Sequence, residues 1–258
     1  MGSVAWSFVD EVAFVTGGGG GMGRAITTAF VAAGASVVVA DVDAAGGAAT
    51  VEAANATGPG QAVFVPCDVS DADSVNAAVA MTVERFGGLH HAVNAAAIEN
   101  ESVPLHECDE AKFDRMQSIN LRGLFLCLRA EITEMLKAGR GSIVNICSTN
   151  SVRPQPNQPA YTASKYGALG MTKSAAIDYA GRGIRINAIL PGSIDTPMLR
   201  NAMERRGRDA QEVANRLSLL GRFGTPSEIA DAALWLCSDG SSFTVGHALA
   251  VDAGYLSR

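Results

Sequence analysis

Tyr161 and Lys165 stand four residues apart in a stretch that opens at Ser148 and takes on a helical pattern from Ala160. On a helix they are neighbours on one face, about 6 Å apart along the axis. An ammonium group beside a phenol favours the phenolate. Free tyrosine titrates near 10, so service as a base around neutral pH requires a lowering of about 2–3 pH units, or about 3–4 kcal/mol. One unit charge about 4 Å away in a partly buried site is worth roughly that much. Ser148, delivered by the apolar strand-like run Ser142–Cys147, could hold the oxygen that gains or loses the proton. Tyr-x-x-x-Lys also occurs on ordinary surface helices, so its weight depends on what the chain brings beside it.

The elements that must position these groups alternate along the sequence. Val12–Thr16 reads as a buried strand, Gly17–Gly23 as a glycine loop, and Arg24 to Ala33 as a helix. Strand, glycine loop and helix form the context of a phosphate-binding turn, because bare backbone can approach a pyrophosphate and the helix start offers free N–H groups. Two registers fit: Gly18, Gly20 and Gly23, or Gly17, Gly21 and Gly23. A second strand, Ser36–Ala40, ends at Asp41, eighteen residues past Gly23, near the spacing of a ribose-binding acid. No Lys or Arg occurs from Ala25 to Glu84, which favours NAD over NADP, with Arg24 the one cation near the loop.

Further strands are expected at Gln61–Pro66, with Asp68 just beyond it, and at Leu89–Ala97, which carries Asn94. A helix capped by Ser70 should run to about Phe86, and another from Asp109 to about Lys137, with the polar Asn120 inside its apolar stripe. Such a residue needs a partner or a job. After the strand that delivers Ser148, a helix from Tyr161 to about Ala180 leads to a sixth strand, Ile184–Leu190. Pro191–Thr196 follows, and the looser spacing of about 193–220 suits a mobile lid with an apolar underside. A helix from Pro226 to Cys237 and a seventh strand, Gly246–Val251, close the chain. The pattern is α/β: a single-domain Rossmann-type doubly wound sheet of about seven parallel strands flanked by helices, spanning residues 1–258. Gly17–Gly23, Asp41, Asp68, Asn94, Ser148 and Pro191–Thr196 all fall at the carboxyl ends of its strands.

Composition narrows the class. The 258 residues are 48% hydrophobic and 18% charged, enough to build a core and too apolar for disorder. A net charge of −6 and a pI near 5.2, with no basic run, argue against a nucleic-acid partner. The five cysteines are scattered, as expected of reduced thiols, and the four histidines lack metal-ligand spacing, so no metal site is expected. No run of about 18 apolar residues and no leader pattern occurs, which implies a cytoplasmic protein with no membrane contact.

Together, Thr16-Gly17-x-x-x-Gly21-x-Gly23, Asp41, Asp68-Val69, Asn94-Ala-Ala-Ala97, Asn120, Ser148, Tyr161-x-x-x-Lys165, Pro191-Gly192 and Thr196 resemble the short-chain dehydrogenase/reductase family over nearly the whole chain. The resemblance selects the Gly17, Gly21, Gly23 register. It implies an NAD-dependent oxidoreductase interconverting a secondary alcohol and its ketone. Tyr161 would act as acid and base, and Lys165 would lower its pKa and bond the nicotinamide ribose. Ser148 would orient the substrate oxygen, and Asn120 would hold a water linking Lys165 to solvent. Gly17, Gly21, Met22, Gly23, Asp41, Asp68, Val69, Asn94, Tyr161, Lys165, Pro191, Ile194 and Thr196 would contact the cofactor. A homotetramer pairing the 109–137 and 161–180 helices is also implied.

Three departures stand out: Ala95 and Ala97 replace the family's usual asparagine and glycine, Cys147 a second serine, and Asp10-Glu11 a Gly-Lys pair. The apolar lid points to a hydrophobic or cyclic alcohol. Asn150, Gln155, Asn157, Gln158, Glu99 and Asn100 could instead meet extra hydroxyls. An NADPH-dependent 3-ketoacyl-type reductase and a non-catalytic dinucleotide-binding regulatory protein are the rival readings.

Overall fold

The computed structural model describes residues 5–99 and 102–258. Seven strands form one parallel sheet in the order β3-β2-β1-β4-β5-β6-β7. They are β1 Val12–Thr16, β2 Ser36–Asp41, β3 Gln61–Pro66, β4 His91–Asn94, β5 Gly141–Ile146, β6 Ile184–Pro191 and β7 Ala248–Val251. The central strands are short runs of Val, Ala and Ile because both faces are covered; every residue of β1 and β4 is buried. The covering helices are α1 Gly21–Ala32, α2 Ala44–Asn55, α3 Ala72–Phe86, α4 Glu110–Gln117, α5 Gly123–Ala138, α6 Pro159–Tyr179, α7 Pro197–Arg205, α8 Ala210–Leu217 and α9 Pro226–Cys237.

Side chains alternate between two apolar layers, as strand geometry requires. Phe14, Val38, Ile143 and Ile186 join Val79, Met135 and Leu169 on one side. Val15, Val37, Val39 and Ile189 join Phe30, Ile229 and Leu234 on the other. The doubly wound architecture expected from the alternation of elements is the one observed.

Several boundaries differ from expectation. The cap of α3 is Asp71, which accepts from the Asp73 N–H, because the Ser70 hydroxyl is taken by the Asp68 carboxylate. The helix expected over 109–137 is two α-helices joined by a π-helical turn, Ser118–Arg122, with Asn120 at its centre. β4 stops at Asn94 rather than Ala97, and β7 begins at Ala248. Residues 193–220 do hold two amphipathic helices, α7 and α8.

Glu11, one of the family departures, has a local partner. Its carboxylate meets the His91 Nε2 at 2.6 Å, and His91 Nδ1 meets the Ser142 hydroxyl at 2.7 Å. This ties the entry of β1 to the starts of β4 and β5. Burial works against a charged His91, but its bonds with Cys237 and Glu11 outweigh this and raise its pKa to about 9. The His91 bond holds the Glu11 carboxyl below its ordinary value.

Candidate active site

The sheet order reverses between β1 and β4, the place where a doubly wound sheet opens a crevice at its carboxyl edge. A groove of about 780 Å³ lies there, with Gly17, Met22, Asp41, Asp68, Ala96 and Thr196 among its walls. Its floor is backbone. Gly17 has φ +64°, and a Cβ there would lie 2.7 Å from the Ala96 nitrogen. A Cβ on Gly23 would lie 2.2 Å from the Gly17 carbonyl oxygen, whereas one on Gly20 would meet nothing within 4 Å. Space is therefore lacking at Gly17 and Gly23 and also at Gly18, where a Cβ would lie 2.8 Å from Val39, whereas Gly20 is open and Gly21 is set apart by its φ of +51°. The start of α1 has no side-chain cap, so its first N–H groups face the groove free for an anion. The loop fits a pyrophosphate.

Asp41, at the end of β2, accepts from the Gly19 N–H at 2.8 Å and from the Asp43 N–H at 2.9 Å. It thereby fixes the glycine loop as well as lining the groove. Arg24 turns toward α2: Nε donates to the Thr50 hydroxyl and Nη2 to the Gly19 carbonyl. Asp68 accepts from the Ser70 N–H and hydroxyl, which hold its carboxyl below the ordinary value, and Val69 lines the groove beside it. Asn94 is turned inward. Its amide donates to Glu131 at 2.9 Å and to the Asn145 side-chain oxygen at 3.1 Å, and it does not line the groove.

β5 and α6 bring Ser148, Tyr161 and Lys165 together. The Ser148 hydroxyl bonds the Tyr161 phenol, and the Ser148 oxygen accepts from the Asn150 N–H at 3.1 Å. The Lys165 ammonium, buried, donates to the Ile146 carbonyl at 2.9 Å and lies 5.8 Å from the Tyr161 ring centre. The lowering of the Tyr161 pKa expected from Lys165 is not found. Burial raises Tyr161 to about 12 against the lowering bond from Ser148, and burial also lowers Lys165. Desolvation of each group outweighs the help one could give the other.

Asn120 has both partner and position. Its side-chain oxygen accepts from the Ile98 N–H at 2.8 Å, and its amide donates to the Ile98 carbonyl at 2.9 Å and the Ser164 hydroxyl at 3.2 Å. A small cavity of about 10 Å³ joins Asn120, Lys165, Asn94 and Thr16.

A second cavity, of about 140 Å³, lies between Tyr161, Ser148 and the lid helices. Pro191 and Ile194 line it, and Thr196 caps α7 by accepting from the Leu199 N–H. Met22, Thr196 and Met198 belong to both, so the groove adjoins the cavity that Tyr161 lines. Asn150 and Gln158 pair with each other, and Gln158 donates to Glu99, so three of the candidate hydroxyl-binding groups form one chain. Asn157 does not line the cavity, Gln155 does, and Asn100 lies outside the described residues.

Two features were not read from the sequence. Glu131 is fully buried on α5, and burial raises it to about 8 against the bond from Asn94. Glu99 is clasped by Arg205 and Arg206 of the lid at 3.0 and 2.6 Å. A charge inside the apolar stripe of α5 could have marked the first. Nothing local marks the second, whose partners lie more than a hundred residues away. Among the described residues no cluster of potential metal ligands occurs.

Comparison with known proteins fits this geometry. A family profile described as enoyl-(acyl carrier protein) reductase matches residues 18–256. The 2,5-dichloro-2,5-cyclohexadiene-1,4-diol dehydrogenase of Sphingobium indicum is 42% identical over 93% of this chain and 95% of its own length. The chain belongs to the short-chain dehydrogenase/reductase family. Cis-4-hydroxycyclohexanecarboxylate dehydrogenase of Sinomonas cyclohexanicum is 39% identical over 96% of this chain and 98% of its own. The crystal structure of levodione reductase superposes with a TM-score of 0.93 at 37% identity, covering 97% of this chain and 99% of that one. Dehydrogenases of this family use nicotinamide dinucleotides, and the backbone-floored groove with its free helix start is the shape such a group needs.

Proposed function

We propose that this protein interconverts a small cyclic secondary alcohol and its ketone, with NAD as cofactor and Tyr161 as the proton-transferring group. The observation that carries this reading is the meeting of the groove, at Met22, Thr196 and Met198, with the cavity lined by the bonded pair Ser148 and Tyr161. A bound nicotinamide would supply the hydride acceptor or donor, whose chemistry is its own. Ser148 holds the substrate oxygen. Tyr161 takes the hydroxyl proton as the carbinol hydride leaves, or gives a proton to the carbonyl in reduction. With its pKa raised to about 12 by burial, Tyr161 is protonated at neutral pH, as a donor to a ketone must be. Alcohol oxidation requires the loaded site to bring its value down, with Lys165 the cation at hand. Thr196, which lines both groove and cavity, and Ile194, which lines the cavity, would border the nicotinamide. Asn120 and the adjoining 10 Å³ space, near the lower limit for one water, support a proton path from Lys165.

A carboxylate at the end of β2 and an Arg24 already bonded to Thr50 and Gly19 support NAD over NADP. The cavity of about 140 Å³ is small beside the roughly 300–1,000 Å³ of drug-sized sites, which favours a single ring over a steroid. Relatives named for six-membered carbocycles agree. Exposed Phe125, Tyr166 and Ile177 on α5 and α6 support a homotetramer built on those helices. Free cysteines, mostly buried, fit a reducing cytoplasm, and no described helix is long and apolar enough to cross a membrane. We also take residues 1–258 as one domain, with 193–220 as its lid.

Initial rates with NAD and with NADP, against a panel of small cyclic alcohols and ketones, test this reading. Turnover favouring NAD is expected. Preference for NADP and linear 3-ketoacyl thioesters would select the reductase rival, and dinucleotide binding without turnover the regulatory one.

A further inference from the structure

The cavity beside Tyr161 is lined by two guanidinium groups, Arg206 and Arg208, and one carboxylate, Glu99, so the charged side chains around it sum to +2 −1 = +1. That single carboxylate is already satisfied. Its Oε1 accepts from Arg206 and from Gln158, and its Oε2 from Arg205, which reaches in from α7. Glu99 is therefore shared by two cations and offers nothing to a third.

Arg208 stands apart. Its backbone N–H bonds the Met203 carbonyl, but its guanidinium has no hydrogen bond or ion pair among the described residues. Asp209, the next residue, spends its carboxylate capping α8 through the Glu212 N–H and does not line the cavity. Slight desolvation and the positive charges of Arg216 and Arg206 lower its pKa. A planar fork of donors on a cavity wall, beside two like charges and with no acceptor, is matched by a carboxylate.

We infer that the substrate is a cyclic hydroxy acid, whose carboxylate is received by Arg208 with Arg206 at the lid wall while its hydroxyl meets Ser148 and Tyr161. The small volume admits one ring bearing a short acidic arm. Met198, Met203 and Leu217 supply apolar walls for the ring. The placement of the hydroxyl rests on the alcohol–ketone reading above, whereas the anion site rests only on Arg206, Arg208 and the saturated Glu99.

The two can be tested separately with ligands that cannot react. Cyclohexanecarboxylate and cyclohexanecarboxamide have nearly the same shape, and only the first is charged. Each is titrated by calorimetry into wild-type protein and the Arg208→Gln variant, with oxidised dinucleotide present. A charge-assisted bidentate contact is worth about 1.5–3 kcal/mol, so wild type should bind the carboxylate about 10- to 100-fold more tightly than the amide. In Arg208→Gln this ratio should collapse toward one, with the thermal midpoint unchanged because Arg208 is exposed. Equal affinities in wild type, or a ratio that survives in the variant, overturns the inference. Turnover of hydroxylated rings is then measured in the same preparations. Carboxylate preference without any turnover would leave the anion site standing and sink the alcohol–ketone reading. Turnover of cyclohexanol as efficient as that of a hydroxycyclohexanecarboxylate would sink the inference and leave that reading intact.

Discussion

The two halves of the site are built from different materials. On the β1–β4 side the groove is made of backbone: Gly17 and Gly23 leave no room for a Cβ, and Asp41 is bonded to the loop it faces. On the β5–β6 side the cavity is made of long side chains, with Arg205 and Arg206 reaching Glu99 and Met198 and Met203 filling the lid. A backbone floor suits a ligand that never changes, since the positions of N–H groups are fixed once the turn forms. Side chains on two short helices can be exchanged without disturbing the sheet. Constancy for a cofactor and variety for a substrate are thus properties of two kinds of atom.

If that contrast is correct, the largest effect of a single methyl group belongs to the groove. Gly23→Ala places a Cβ against a carbonyl oxygen that cannot rotate away, so dinucleotide binding should fall by about 100-fold or more, with a destabilisation of about 1–3 kcal/mol. Gly20→Ala, three residues earlier, should leave both within error by titration and thermal melting. Equal tolerance at the two positions would break the comparison.

Ser148→Ala should act on rate rather than on dinucleotide affinity, lowering kcat by about 100-fold, the scale of one oxygen-holding donor. A smaller effect is expected of Asp41→Ala, because Asp41 both lines the groove and supports the Gly19 N–H. The ratio of NAD to NADP affinity, measured by fluorescence titration, should narrow by about 10-fold as a like-charge penalty of about 1.4 kcal/mol disappears. An unchanged ratio would remove the argument for NAD.

The smallest effect lies on the opposite edge of the sheet, where Glu11 and His91 touch neither cavity. The folded pKa of His91, about 9, exceeds the ordinary value near 6.5, so its contribution to stability is complete below about 6.5 and is lost as the pH rises through 9. The lowered Glu11 carboxyl contributes above its ordinary range and loses that contribution on acidification. Glu11→Gln should therefore reduce the thermal midpoint most near pH 6, by the equivalent of about 1 kcal/mol for a partly exposed pair, and hardly at pH 10. Activity should be unaltered.

What could be read from the sequence follows the same division. Backbone-built features announce themselves through residue type: glycines in a fixed register, a carboxylate closing β2, and Tyr161 and Lys165 at helical spacing. The unbroken helix expected over 109–137 failed because a π-turn is invisible to apolar periodicity; only the polar Asn120 hinted at it. The Ser70 cap failed because Asp68 competes for the same hydroxyl. Asn94 reads as a groove residue from its position at a strand end, yet β4 is central, and its amide is needed to satisfy Glu131 and Asn145. The Glu99 clasp joins residues too distant in sequence for any local pattern to link. The expected effect of Lys165 on Tyr161 was argued from charge alone, and burial, which outweighs it, is a tertiary quantity.

The central claim is that Tyr161 moves the proton while other groups hold the dinucleotide. Tyr161→Phe removes one oxygen and leaves the ring, so kcat with a cyclic alcohol and dinucleotide affinity should be measured on the same preparation. Because burial raises Tyr161 to about 12, oxidation by wild type should also accelerate as the pH rises. The account predicts a kcat lower by about 100- to 10,000-fold in the variant, dinucleotide affinity within about 2-fold of wild type, and loss of that pH dependence from any residual rate. Turnover that survives with its pH dependence intact would contradict it.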